Sequence, residues 1–289
     1  DYYHKKTYDL LLTVPVDVAK YGVSSQLQNV GNVENRGLEV SLDFIPVRKA
    51  GTTWNIQGNL AINKNEITNL GKYQELNVNS YTILRKGEAV GSFYGLIYDG
   101  VVQADEDVSK LTTQNGSRPK VGQEKFRDID GDGKVNENDR VILGHTQPNI
   151  TYGLSSSLKL GRFDAFVQFQ GTASGQIYNS LRRTLESPTD CYNVSSVILD
   201  SWTSSNPSNT YSAVSDVRPY SYIDSRYVEN ADYLKLKTLT IGYTFPVHLA
   251  KASAHVLATA SNLFTITGYK GYEPEIQSGI DTGDYPASR

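Results

Sequence analysis

Apolar and polar residues alternate one by one along several segments of the chain, as in β-strands whose two faces differ. In residues 38–44 the even-numbered positions are apolar and the odd-numbered positions are polar. The alternation resumes in residues 54–62, where the polar positions are mostly amides. Because only the short segment 46–51 separates the two runs, the sequence predicts a β-hairpin.

The same pattern predicts two more hairpins. They comprise residues 152–160 with 163–169, and residues 233–245 with 254–264. The alternation changes phase between Leu236 and Leu239, which predicts a β-bulge near Lys237. Together with an opening segment that ends near Leu12, this makes about seven predicted strands.

The connections between strands fall into two classes. Short ones lie at residues 46–51, 161–162 and 246–253, and long ones at about 66–148, 174–230 and 265–289. Short turns at one end and long loops at the other are typical of outer-membrane barrels, whose strands are apolar toward lipid and polar toward the lumen. The sequence therefore predicts an all-β fold, an antiparallel transmembrane β-barrel with long extracellular loops.

Composition excludes other classes of protein. No stretch approaches the roughly 18 consecutive apolar residues of a transmembrane helix. The formal net charge of −3 lacks the basic surface that nucleic-acid binding requires, so we expect no nucleic-acid partner. The single cysteine, Cys191, leaves the redox compartment undecided.

The strand count predicts a piece of a longer protein. Bacterial barrels close with an even number of strands, and an open sheet with an apolar face would aggregate through its edges. The chain also contains no Met, even at position 1. We therefore expect the remaining strands to lie outside this chain, and we expect the chain not to fold alone.

Several sequence blocks resemble the SusC/RagA family of TonB-linked outer-membrane proteins. The blocks are residues 2–12, 29–40, 91–101, 128–144, 229–246 and 262–275, and they include NVENRGLEV at 32–40, GSFYGL at 91–96 and ENADYLKLK at 229–237. They follow the family's order and cover nearly the whole chain.

The resemblance implies a plugged 22-stranded barrel of the outer-membrane transporter type. Residues 1–289 would form its C-terminal portion, with the final strand, the plug and the TonB-engaging segment outside the chain. It also implies import of oligosaccharides or oligopeptides across the Gram-negative outer membrane and no enzymatic activity. The implied partners are a SusD-like surface lipoprotein, the TonB-ExbB-ExbD complex, outer-membrane lipid, and the glycan or peptide substrate.

One loop matches the spacing of a calcium-binding loop. Its candidate ligands alternate along the loop, with Gly133 providing the sharp turn. They are Asp128, Asp130, Asp132, the Lys134 carbonyl, Asn136 and Asp139. Asp139 replaces the usual Glu and is one methylene shorter, which predicts a weaker site. The alternative is an Asp- and Gly-rich turn that holds no ion.

The other candidate residues favour structural roles. The histidines, His4, His145, His248 and His255, lack metal-ligand spacing. Glu273 and Glu275 could form a glycosidase acid pair but are predicted to be solvated loop residues. Loop aromatics could stack on sugars or fill loop cores, and Arg182 and Arg183 are similarly ambiguous; the aromatics are Tyr94, Tyr98, Trp202, Tyr220 and Tyr222.

Two other functions compete with import. A secreted calcium-binding β-sandwich that recognises glycans would have short loops at both ends. A β-fold glycoside hydrolase would need two carboxylates on rigid strands, and the sequence offers no such pair.

Overall fold

A single sheet of seven long strands dominates the computed structural model, which describes residues 1–187, 193–214, 220–246 and 253–283. The strands are β1 (Tyr2–Pro15), β2 (Ser25–Lys49), β3 (Thr52–Asn69), β4 (Ile150–Leu160), β5 (Phe163–Ala173), β6 (Tyr233–Pro246) and β7 (Ser253–Thr267). Each strand pairs antiparallel with the next one in this order. We call this sheet the wall. It confirms the all-β fold and the predicted strands.

The register joins the apolar positions of neighbouring strands into continuous rows. Leu38 pairs with Tyr2 on one side and with Ile62 on the other, and Ile62 pairs in turn with Ile150. Paired residues point to the same face of a sheet. The wall therefore has one apolar face and one polar face.

The predicted bulge at Lys237 is confirmed. Gln168 of β5 pairs with Thr238, but the next residue, Phe169, pairs with Leu236. Lys237 is thus the extra residue on β6. The bulge keeps both Leu236 and Leu239 on the apolar face, although they are three positions apart and would lie on opposite faces of a regular strand.

The apolar face is uncovered in the described part of the chain. Leu42 is 68% exposed and Phe44 is 61% exposed. In a β-sandwich a second sheet would bury such residues. The seven-stranded wall is a single layer at these positions, so the sandwich alternative is wrong.

The long connections are folded, whereas the sequence suggested irregular loops. Their short strands are Glu75–Asn77, Thr82–Arg85, Ser92–Gly95, Tyr98–Val101, Thr113–Gln114, Glu124–Phe126, Lys134–Val135, Val141–His145, Gln176–Asn179, Val228–Asn230 and Ile280–Asp281. Their helices are α2 (Ser180–Leu185) and 3-10 turns at Val108–Lys110, Glu137–Asp139 and Ser196–Asp200, while α1 (Val18–Tyr21) lies in the short link between β1 and β2. None of the helices in the described ranges is long and apolar enough to cross a membrane.

The hydrophobic cores lie in these connections and in the adjoining strand ends. One cluster contains Val14, Val33, Ile67, Leu70 and Leu76. A second contains Phe93, Tyr178, Ile223 and Tyr227. The loops therefore pack on one another through buried side chains, and this packing fixes their position at one end of the wall.

Candidate functional site

The polar face of the wall presents amide, hydroxyl and carboxylate groups. It contains a shallow depression of about 630 Å³. The polar lining comes from β2, β3, β4 and β5, and includes Ser41, Asp43, Gln57, Asn59, Ser155, Gln168 and Gln170. Such groups can donate to and accept from the hydroxyl or peptide groups of a solute. This is the chemistry of a hydrophilic lumen.

A larger cleft of about 910 Å³ lies where residues 273–277 return to the wall. The returning segment forms one side, and β5, β6 and β7 contribute to the other. Its charged lining consists of Lys235, Lys237, Glu273 and Glu275. The cleft therefore combines both signs of charge within one polar cavity.

Lys235 connects the two sides of this cleft. The residue is 3% exposed, and an unpaired ammonium buried to that degree would be costly. Its Nζ donates hydrogen bonds of 3.0 Å to Glu273 Oε1 and 2.6 Å to Glu275 Oε2. Glu275 Oε1 accepts from Tyr233 Oη at 2.6 Å and from Gln170 Nε2 at 2.7 Å. We call Lys235, Glu273 and Glu275 the lysine latch.

The latch corrects the expectation that Glu273 and Glu275 are solvated loop residues. Both are only partly exposed, and both bind Lys235. Burial raises the pKa of the Glu275 carboxyl, but hydrogen bonds from Lys235, Tyr233 and Gln170 outweigh burial and hold this pKa below its usual value. Glu275 is thereby kept as a carboxylate that pairs with a cation.

The returning segment, taken as residues 268–283, is closed by an internal hydrogen bond and is also attached to the loops. Tyr269 Oη donates a buried hydrogen bond of 2.5 Å to Asp281 Oδ2. Ile280 and Asp281 also form a parallel pairing with Tyr178 and Asn179. The pairing attaches one end of the segment, and a hydrogen bond of 3.0 Å from the Lys270 N–H to Glu229 Oε2 attaches the other end. The latch lies between them.

The aspartate-rich loop brings three of its predicted ligands together. Carboxylate oxygens of Asp128, Asp130 and Asp139 lie within 4.8 Å of one another. Asp132 is outside this group, and its Oδ1 accepts a hydrogen bond of 2.8 Å from the Lys134 backbone N–H. Three carboxylates at this separation repel one another, and a cation between them would offset that repulsion.

Asp139 also closes the loop through hydrogen bonds of its own. It is fully buried. Its Oδ1 accepts from the Ile129 N–H at 2.7 Å, and its Oδ2 accepts from the Asn136 N–H at 2.7 Å. The Asn136 side chain in turn accepts from the Asn138 backbone N–H. Asn136 and Asp139 together form a capping box on the short 3-10 turn. Sequence spacing predicted Asp139 as a candidate ligand but missed this structural role.

Arginines stack on the loop aromatics that were candidates for sugar contact. The Arg140 guanidinium lies 4.2 Å from the ring centre of Tyr94 and 4.7 Å from that of Tyr222. The Arg226 guanidinium lies 3.8 Å from the ring centre of Tyr98. These ring faces are therefore engaged in cation–π contacts within the loops.

The remaining candidates in the loops also make internal contacts. Tyr220 Oη donates to the Val135 carbonyl at 2.7 Å, and Trp202 Nε1 donates to Gln103 at 3.1 Å. Arg182 binds Glu186 and Glu229, and Arg183 donates to Tyr178 Oη. Arg182 therefore ties α2 to the strand Val228–Asn230. Sugar contact by the aromatic residues stays a prediction.

Three of the histidines each contact a nearby acceptor in a different part of the chain. The pairs are His4 with Glu34 at 2.8 Å, His145 with the Gln147 carbonyl at 2.7 Å, and His255 with Asp164 at 2.8 Å. His248 and Cys191 lie outside the described residues. The structure does not bring the three described histidines together.

Known proteins resemble the chain along its whole length. No protein-family model matches it. It is 34% identical to TonB-dependent receptor P3 of Formosa agariphila over 100% of this chain and 31% of that receptor. It is 28% identical to TonB-dependent receptor SusC of Bacteroides thetaiotaomicron over 99% of this chain and 28% of that receptor.

Solved structures share the fold. The chain matches the RagAB peptide transporter with a TM-score of 0.81 and 25% identity, over 99% of this chain and 31% of that one. It matches the RagAB peptide importer in its open-open state with a TM-score of 0.76, over 96% of this chain and 30% of that one. The chain therefore spans less than a third of the proteins that it matches.

Proposed function

This chain belongs to the SusC/RagA family of TonB-dependent receptors, and we propose that it forms part of a barrel that imports oligosaccharides or oligopeptides across the Gram-negative outer membrane. One observation carries the proposal. The wall is a single antiparallel layer with one apolar and one polar face, and its long loops lie at one end. This arrangement suits a lipid-facing outside and a wet lumen.

We infer that solute binding takes place on the polar face and in the charged cleft. The amides and hydroxyls of the wall would exchange hydrogen bonds with a passing solute, and the lysine latch would hold the returning segment beside its path. Neither step breaks a covalent bond. The function is therefore binding and gating rather than catalysis.

The proposed partners follow from the family. A SusD-like surface lipoprotein would cover the barrel at its long-loop end, and the TonB-ExbB-ExbD complex would act through parts of the complete protein beyond the 289 residues of this chain. The folded, internally packed loops support the first interaction because they offer a preformed surface.

For the aspartate-rich loop we propose a structural Ca²⁺ site. Asp128, Asp130 and Asp139 would supply side-chain oxygens, together with the Lys134 carbonyl, and Asp139 would also orient the loop. The clustering of three carboxylate oxygens within 4.8 Å supports this proposal. The ion would stabilise the loop and take no part in transport. Asp132 and Asn136 complete the proposed ligand set.

Gene deletion in the source bacterium tests the import proposal. We expect loss of growth on one class of oligosaccharide or peptide, with recovery when the intact gene is restored. A gene that lacks the TonB-engaging segment is the matched control and should not restore growth. Recovery with that control, or absence of the protein from the outer-membrane fraction, would contradict the proposal.

A further inference from the structure

Two rows of charged side chains cross the apolar face of β1, β2 and β3. They lie directly beyond the apolar row that contains Tyr2, Leu38 and Ile62. The first row consists of His4, Arg36 and Lys64, and the second of Lys6, Glu34 and Glu66. Strand alternation places both rows on the same face as Leu38 and Ile62. We call these six residues the charged rows.

Ion pairs connect the charged rows across the three strands. Glu34 lies 2.7 Å from Arg36, 2.8 Å from His4 and 3.5 Å from Lys6. Glu66 lies 3.3 Å from Lys64 and 4.0 Å from Arg36. The charged rows therefore form one network rather than six independent residues.

The acids of this network lie beneath its cations. The side chains of Glu34 and Glu66 are 11% and 29% exposed, whereas those of Lys6 and Arg36 are each 50% exposed and that of Lys64 is 71% exposed. Three permanent cations also outnumber the two carboxylates. The surface presented to the surroundings therefore carries a net positive charge.

The other wall strands end differently on this face. Their last residues toward the loops are apolar, namely Ile150 of β4, Ala173 of β5, Leu234 of β6 and Ile266 of β7. The cationic surface is thus restricted to three of the seven strands. On this face β4 to β7 end at or before the row of Leu38 and Ile62, so within the described wall only β1, β2 and β3 extend to the level of the charged rows.

We propose that the charged rows bind the phosphate headgroup of a lipid in the outer leaflet. Arg and Lys are the residues that bind phosphate best, and long cationic side chains reach from an apolar surface to the headgroup level. The cations border an apolar row that would contact the acyl chains of the same lipid. This inference rests on the proposed function, because only a barrel in the membrane turns this face toward lipid.

A lipid-dependent stability assay on the intact receptor tests the site. The receptor in neutral detergent is heated with lipid A that carries two phosphates, with the same lipid after removal of its phosphates, or with inorganic phosphate. Folded and unfolded forms are separated by gel mobility. We expect only phosphorylated lipid A to raise the unfolding temperature.

Two pairs of Lys→Gln substitutions, one in the charged rows and one outside them, test where that lipid binds. In the double variant Lys6→Gln, Lys64→Gln, phosphorylated lipid A should raise the unfolding temperature by no more than half as much as in the wild type. In the double variant Lys20→Gln, Lys86→Gln, the rise should be the same as in the wild type. Should the first pair not fold, Lys64→Gln alone should still lose part of it, because this side chain is exposed. Equal rises in both pairs, or the same rise with inorganic phosphate, would overturn the proposal.

This result is separable from the import proposal. A receptor that is missing from the outer membrane or does not support growth contradicts import. A receptor that inserts, imports and shows equal lipid effects in both variant pairs overturns only the lipid site.

Discussion

The Tyr152 hydroxyl donates a hydrogen bond of 2.9 Å to the backbone carbonyl of Tyr233, two strands away. The ring passes over Gly171 on the intervening strand. A Cβ at Gly171 would press against the Tyr233 carbonyl oxygen and would lie 2.5 Å from Tyr152 Cζ, which is closer than atoms can pack. Glycine therefore allows one tyrosine to join three strands of the wall.

We predict that Gly171→Ala destabilises the intact receptor by about 1–3 kcal/mol, as overpacking does. Gly58→Ala is the matched control, because the nearest atom to a Cβ there is the Gly153 carbonyl oxygen at 4.0 Å. Urea unfolding followed by gel mobility measures both. Equal stability of the two variants would show that the tyrosine moves aside without cost.

The orientation of the wall predicts unequal effects of adjacent substitutions. Leu42→Arg places a charge on the face proposed to contact lipid and should cost roughly 2–4 kcal/mol near the bilayer midplane. Ser41→Arg points toward the lumen and should be mild. The fraction of heat-modifiable receptor in the outer membrane measures both, and equal tolerance would contradict the orientation.

The lysine latch predicts a loop that loosens in acid. The pKa of Glu275 is lower in the folded chain than in the unfolded chain, so its contribution to stability is complete above the ordinary Glu value of about 4.3. That contribution disappears as the pH falls through the folded value. The protection of residues 268–283 from hydrogen exchange, relative to the intrinsic rate at each pH, should therefore fall below about pH 4.

Glu275→Gln provides the control for the latch. It removes the titrating group, so protection of this segment should be low and much less dependent on pH over that range. If the wild-type segment and the Gln variant exchange alike at every pH, the ion pair with Lys235 does not hold the segment.

The aspartate-rich loop predicts calcium-dependent protection from protease. Asp130→Ala with Asp132→Ala should abolish calcium binding in calorimetry and increase cleavage of this loop, while barrel assembly survives. Asp139→Ala should increase cleavage even with a chelator present, since the hydrogen bonds that Asp139 accepts from the Ile129 and Asn136 N–H groups hold the loop without an ion. If the receptor binds no calcium up to millimolar concentrations and a chelator does not change cleavage, the loop is an Asp- and Gly-rich turn that holds no ion.

Sequence periodicity predicted the wall but not the loops. Alternation is a local property, so strands such as β3 and β5 could be found from consecutive residues. The short strands span only two to five residues each, too few for a period to show. The lysine latch joins Lys235 to Glu273 and Glu275, which are 38 and 40 positions away in the sequence. No local pattern encodes that contact.

Because the wall is a single sheet, successive residues of each strand face different surroundings and are subject to different constraints. At Ser41 the surroundings would be cargo and water, and at Leu42 they would be acyl chains. An allele that changes the first need not disturb membrane insertion, and one that changes the second need not alter what is imported. Under the proposed import function, substrate preference could diverge between related receptors through changes at every second residue of a strand, while the residues between them keep the barrel in its bilayer.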